Sequence, residues 1–161
     1  MALHSKTVEE AAAIVSALHA EAVDVVVAGH WSIAAYDAEH PSPETQEWLT
    51  KHPPSAMIDL ACPEKDRAAA ESALSALGFS LRDETERSLR FEDARTFVVT
   101  LSLFRLARDG GRVYPKGGIA GEDWYYPPEC VTSGRLGSVP VRTEGPDGLE
   151  RTRVVQACDL E

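Results

Sequence analysis

The run VDVVVAG at residues 23–29 constrains the fold more than any other stretch of the chain. Four valines, nearly continuous and closed by a glycine, read as a β-strand buried on both faces. The sequence on either side of it runs in helical periods. Thr7-Val-Glu-Glu10 reads as a capping box. Val8, Ala11, Ala12, Val15 and Leu18 then fall on one helical face. After the glycine, HWSIAAYDA reads as a short helix.

The pattern breaks at residues 38–54, where four prolines among polar residues predict a loop with one helical turn around Trp48. AMIDLAC, near 56–62, is the next strand. Pro63 then stands at a helix start, EKDRAAAESALSAL is helical, and Gly78 is its stop. Short strands are expected around 79–81 and 87–92, and RTFVVTLSLFRL at 95–106 is a long one rich in β-branched residues. Residues 107–128 combine glycines and aromatics and read as a flap over a cleft. A hairpin is expected around Arg135-Leu136-Gly137, and the segment after 145 as a closing helix. The order predicts an α/β (α+β) fold, a mixed sheet with helices packed mainly on one side, in a single domain over 1–161.

Composition narrows the partners. At 161 residues and 43% hydrophobic the chain suffices for one ordinary core. A net charge of −10 with no basic block argues against a nucleic-acid partner, whose phosphates require a cationic surface. No apolar run approaches the length of a membrane span and no signal-peptide pattern opens the sequence, so the expectation is a cytoplasmic protein without a membrane partner. Cys62, Cys130 and Cys158 are odd in number and lack metal-ligand spacing, which fits reduced, buried thiols. Oligomeric state leaves no mark in the sequence.

The chemistry concentrates around Asp59, a carboxylate set between Ile58 and Leu60 in an apolar strand. In order along the chain stand Gly29-His30-Trp31, then Met57-Ile58-Asp59-Leu60, then Leu77-Gly78-Phe79, then Val99-Thr100-Leu101, and finally Gly134-Arg135-Leu136-Gly137-Ser138-Val139-Pro140-Val141-Arg142. This series resembles the nucleotidyltransferase fold, specifically the compact group of lincosamide and related antibiotic nucleotidyltransferases. That family opens with Gly-Gly-Trp, carries Asp-x-Asp on the second strand, Leu-Gly-Phe after a helix, a third carboxylate on the long strand, and a glycine-rich segment ending in Val-Arg. The resemblance spans roughly residues 5–155.

What the resemblance implies about activity is altered at the chemical positions. Two-metal phosphoryl transfer needs hard oxygen ligands on two Mg²⁺ ions about 3.5–4 Å apart. Asp-x-Asp supplies two carboxylates to one strand face because side chains alternate. Here Met57, a soft thioether, stands for the first carboxylate and Thr100 for the third. His30 stands for the second glycine. Asp59 therefore reads as the survivor of a metal site, and neither a metal nor a cofactor is expected.

The leading expectation is a repurposed, metal-independent enzyme acting on a small organic molecule by acid–base chemistry, with Asp59 and His30 as its catalytic pair. Ligand contacts are expected from Trp31, Ser32, Met57, Arg90, Glu92, Thr100, Trp124 and Tyr126. Two alternatives stand beside it. One is a non-catalytic binding protein that keeps the pocket. The other is a genuine nucleotidyltransferase whose metal ligands have moved, to Asp37, Glu92 or Asp93.

Overall fold

The computed structural model describes residues 5–94, 97–115 and 123–144. Helix α1 spans Ser5–Ala20, strand β1 Val26–Ala28, helix α2 Gly29–Glu39, helix α3 Pro43–Lys51 and strand β2 Met57–Pro63. A short 3₁₀ turn leads into helix α4, Arg67–Ala76. Strands β3 (Ser80–Glu84), β4 (Ser88–Glu92), β5 (Val98–Leu106), β6 (Arg112–Tyr114), β7 (Trp124–Tyr126), β8 (Val131–Leu136) and β9 (Val139–Glu144) complete the described fold. The expected closing helix lies outside the described residues.

The strands form a mixed sheet in the order β3-β4-β5-β2-β1-β9-β8, with β6 added to β5 and β7 to β6. Strand β1 is antiparallel to β2 and parallel to β9, and β2 is parallel to β5. The VDVVVAG run is thus central, and Val26 and Val27 are both fully buried, as a strand covered on both faces requires. The hairpin expected near Gly137 is the β8–β9 turn.

Alternation divides the sheet into two faces. The inner face carries Val27, Ile58, Leu60, Val99, Leu101, Leu89 and Phe91, which share one core cluster with Ala11, Val15 and Leu18 of α1, Trp31 and Ala35 of α2, and Ala70 and Leu74 of α4. Met57, Asp59, Thr100 and Arg90 alternate onto the opposite, outer face.

Three local expectations need correction. Helix α1 already includes Ser5, so Thr7 lies inside it rather than at its N-cap. Residues 38–54 are not a loop. Ser42 caps α3 by accepting a bond from the Thr45 amide at 3.1 Å, and Pro43 occupies the first helical turn, where its missing N–H costs nothing. Pro63 is the last residue of β2 rather than a helix start, while Gly78, at φ +94°, stops the α4 region in the left-handed conformation glycine favours.

Candidate functional site

Pairing register brings the outer-face residues into one row. Ala28 of β1 lies opposite Asp59 of β2, Asp59 opposite Thr100 of β5, and Thr100 opposite Arg90 of β4. At an inter-strand spacing of about 4.8 Å, Asp59 and Arg90 stand roughly 10 Å apart along the row. Met57, two residues before Asp59, shares its face and is 44% exposed.

Asp59 is half-buried, and the Thr100 hydroxyl donates to its Oδ1 at 2.6 Å. Oδ2 lies against Gly29 and has no hydrogen-bond partner among the described residues. Gly29 is required there twice over. Its φ of +62° is left-handed, and a Cβ built on it would fall onto the Asp59 carboxylate, 3.1 Å from Cγ and closer still to Oδ2. The turn from β1 into α2 is therefore shaped around this carboxylate.

His30 is the second residue of α2. Its Nε2–H donates to the carbonyl of His52, and its ring packs on Trp48 at 4.9 Å between centroids. Trp48 in turn meets the His52 ring at 5.0 Å. His30 thus fastens the end of α3 to the start of α2, and its Nε2 is committed to that bond. His40 stacks on Tyr36 instead. Among the described residues no group of three or more His, Cys, Asp or Glu side chains converges in a way that holds a metal ion.

The remaining expected contacts divide. Arg90 and Glu92 reach the outer face but pair with each other at 3.1 Å, so Thr100, not Arg90, is the group that engages Asp59. Trp31 and Ser32, expected at the ligand, are buried. Trp31 donates from Nε1 to the Ser55 carbonyl at 3.0 Å, and Ser32 donates to the Gly29 carbonyl at 2.6 Å. Both hold the α2 entrance in place. Trp124 and Tyr126 lie on β7, whose partner β6 pairs with Arg105 and Leu106. That is five or six residues beyond Thr100 along β5, about 17–20 Å at strand rise. Their rings meet each other at 6.1 Å, and Tyr126 meets Tyr114 at 5.6 Å. Among the described ring contacts none joins them to the Asp59 row.

The sequence reading missed the α3 clamp, although Ser42-Pro43 is a helix-start signal that could have found it. It also missed Arg112 and Tyr114, which sit in the stretch 107–128 read as a flap.

Three solved structures share this architecture. A lincosamide antibiotic adenylyltransferase, LnuA, with lincomycin bound, superposes with a TM-score of 0.66 at 10% identity, covering 92% of this chain and 85% of that one. The antibiotic-resistance factor ANT(2'')-Ia gives 0.62 in its solution structure, at 18% identity over 87% of this chain and 65% of that one. The ANT(2")-Ia crystal structure with adenylyl-2"-tobramycin gives 0.60 at 17% identity, covering 87% and 70%. No protein-family model matches the sequence, and no curated protein aligns with it. The fold is nucleotidyltransferase-like.

Proposed function

We propose that this chain, on a nucleotidyltransferase-like scaffold, acts on a small organic molecule bound over the outer face of the sheet, with Asp59 as its proton acceptor. The observation that carries this reading is the asymmetric state of the Asp59 carboxylate. Thr100 holds Oδ1, while among the described residues Oδ2 has no hydrogen-bond partner, on a half-buried side chain. A carboxylate fixed in one orientation with one oxygen free is suited to accept a hydroxyl or ammonium proton.

The residues do not fit the Mg²⁺ pair that the fold family implies. Beside Asp59 stand a thioether and a hydroxyl, a donor set too soft and too weakly charged for two hard cations. The carboxylates considered as replacements are engaged elsewhere. Asp37 accepts from the Ser42 amide at 3.2 Å, Glu92 pairs with Arg90, and Asp93 accepts from the Phe97 amide at 2.8 Å.

The chain's own groups would act as follows. Asp59 takes a ligand proton at Oδ2 while Thr100 continues to donate to Oδ1. The Arg90 nitrogens not paired with Glu92 meet an oxygen of the ligand one strand further on. His30, with Nε2 committed to the His52 carbonyl, offers Nδ1 as an acceptor.

One observation favours a second reading, a binding protein without turnover. Among the described residues no titratable side chain shares a hydrogen bond with Asp59 that would carry a proton onward from Oδ2. The two readings separate in one experiment. Lincosamides, aminoglycosides and a wider set of hydroxylated and aminated metabolites are screened by thermal shift in EDTA, and stabilising compounds are followed by mass spectrometry. The enzyme reading expects turnover that Asp59→Asn abolishes while binding survives. Binding weakened by Asp59→Asn, with no product from the wild type, selects the binding protein. Turnover that requires both ATP and Mg²⁺ overturns both.

A further inference from the structure

Arg112 opens β6 and is 3% exposed. Its Nη1 donates to the Tyr114 hydroxyl at 2.9 Å, and its guanidinium carbon lies 5.0 Å from the Tyr126 ring centre and 5.7 Å from that of Tyr114. Nε and Nη2 are buried and have no hydrogen-bond partner among the described residues. These two nitrogens are the side-on edge of the guanidinium, whose N–H bonds run parallel and match the two oxygens of a carboxylate or phosphoryl group. Leaving charged donors buried and unpaired is among the costliest arrangements a fold can hold.

A second guanidinium lines the same cavity as Arg112. Arg112 is part of the wall of a cavity of about 40 Å³, together with Phe104, the Gly110-Gly111 turn, Pro127-Pro128 and a second cation, Arg142. Arg142 pairs with Asp24, which also lines the cavity and offsets part of its charge. The buried Glu144 acts on the neighbouring Tyr114 hydroxyl, whose pKa is pushed up to about 12, chiefly by burial. The cavity exceeds the room a single water needs, yet holds no more than the head of a small molecule.

We propose that this cavity is an oxyanion site, in which the side-on edge of Arg112 receives the paired oxygens of a carboxylate or phosphoryl group and Arg142 supplies a second positive charge. The edge is sealed from solvent in the present state, so the Gly110-Gly111 and Pro127-Pro128 rim must part to admit the anion. The site lies along β5 well beyond Thr100 and is distinct from the Asp59 row.

Arginine Nε–Hε resonances of ¹⁵N-labelled protein, titrated with inorganic phosphate and separately with acetate at constant ionic strength, test the proposal. The expected result is a saturable shift of the Arg112 resonance with at least one of the two. Phosphate alone identifies a phosphoryl site, and acetate a carboxylate site. Arg112→Lys keeps the charge but loses the fork, and should weaken the anion's thermal stabilisation of the protein by about tenfold or more in concentration. If that variant does not fold, Arg142→Gln should weaken the Arg112 titration severalfold. Shifts no larger than those of added chloride, stabilisation unchanged in Arg112→Lys, or a titration unchanged in Arg142→Gln would each overturn the site.

Discussion

One face of the sheet carries two regions that obey opposite rules. Near the end of β1, Asp59, Thr100, Met57 and Arg90 stand half-exposed or exposed, and polar groups meet in short, simple pairs. Further along the same strands, Val26, Ala61 and Phe104 are almost fully buried, and β6 and β7 bring aromatic rings over that end. The covered region holds a guanidinium among tyrosines, while in the open region one Asp59 carboxylate oxygen has no hydrogen-bond partner among the described residues. The same alternation of side chains built both. What differs is whether β6 and β7 return over the face: they pack on the Phe104 end, while Met57 and Arg90 at the other end are exposed.

Breaking the covered end should cost most. Phe104→Ala removes a fully buried ring in contact with Tyr114, and about 3–5 kcal/mol of stability should be lost in chemical denaturation. A loss below about 1 kcal/mol would mean that the ribbon does not cover this face in solution.

The Gly29 cradle comes next. Gly29→Ala forces a left-handed backbone on a residue with a Cβ and drives that Cβ into Asp59, so a loss of about 1–3 kcal/mol is expected. Adding Asp59→Ala should recover part of it, because the clash with the carboxylate is removed while the 3.1 Å approach to the residue 59 Cβ and the backbone strain remain. Additive losses in this double-mutant cycle would show that the carboxylate does not rest on Gly29.

At the open end itself the effects should be small. Thr100→Val deletes one hydrogen bond on a half-exposed face and should cost about 0.5–1.5 kcal/mol. Its larger effect should fall on ligand binding or turnover, since Asp59 would then rotate freely.

The covered end also has a pH signature. Burial pushes the Tyr114 phenol up to about 12 from an ordinary 10.0. The folded state favours its protonated form, so this contribution to stability is complete below the unfolded value and is lost as pH rises from about 10 through about 12. Absorbance at 295 nm should show Tyr114 ionising after ordinary phenols, and Tyr114→Phe should remove one such late phenol. Tyr125, whose hydroxyl donates to Asp109, is likewise raised to about 12 and will remain in the late phase.

Both regions differ in how much of them the sequence could disclose. The β-branched run at 23–29 and the apolar strand around Asp59 fix neighbours through hydrophobic pattern, and β1 and β2 do pair. The meeting of residues 59 and 100 was legible only through the family resemblance, which sets the third chemical position on the long strand beside Asp59. Helix α3 was obscured by prolines that in fact flank it or begin it. The Arg112 cluster was illegible for a different reason. Its partners, Tyr114 and Tyr126, come from separate short strands, and ring contacts between them depend on packing that no local period records. The role expected of His30 changed because its partner is a backbone carbonyl, and any residue at position 52 would present one.

The central claim is that the open end is a one-carboxylate site rather than a two-metal one. Calorimetric titration of ATP into the protein, with and without millimolar Mg²⁺, tests it most directly. The account predicts no magnesium-dependent binding, in the wild type or in Asp59→Asn. Tight ATP binding that appears with Mg²⁺ and vanishes in Asp59→Asn would contradict it.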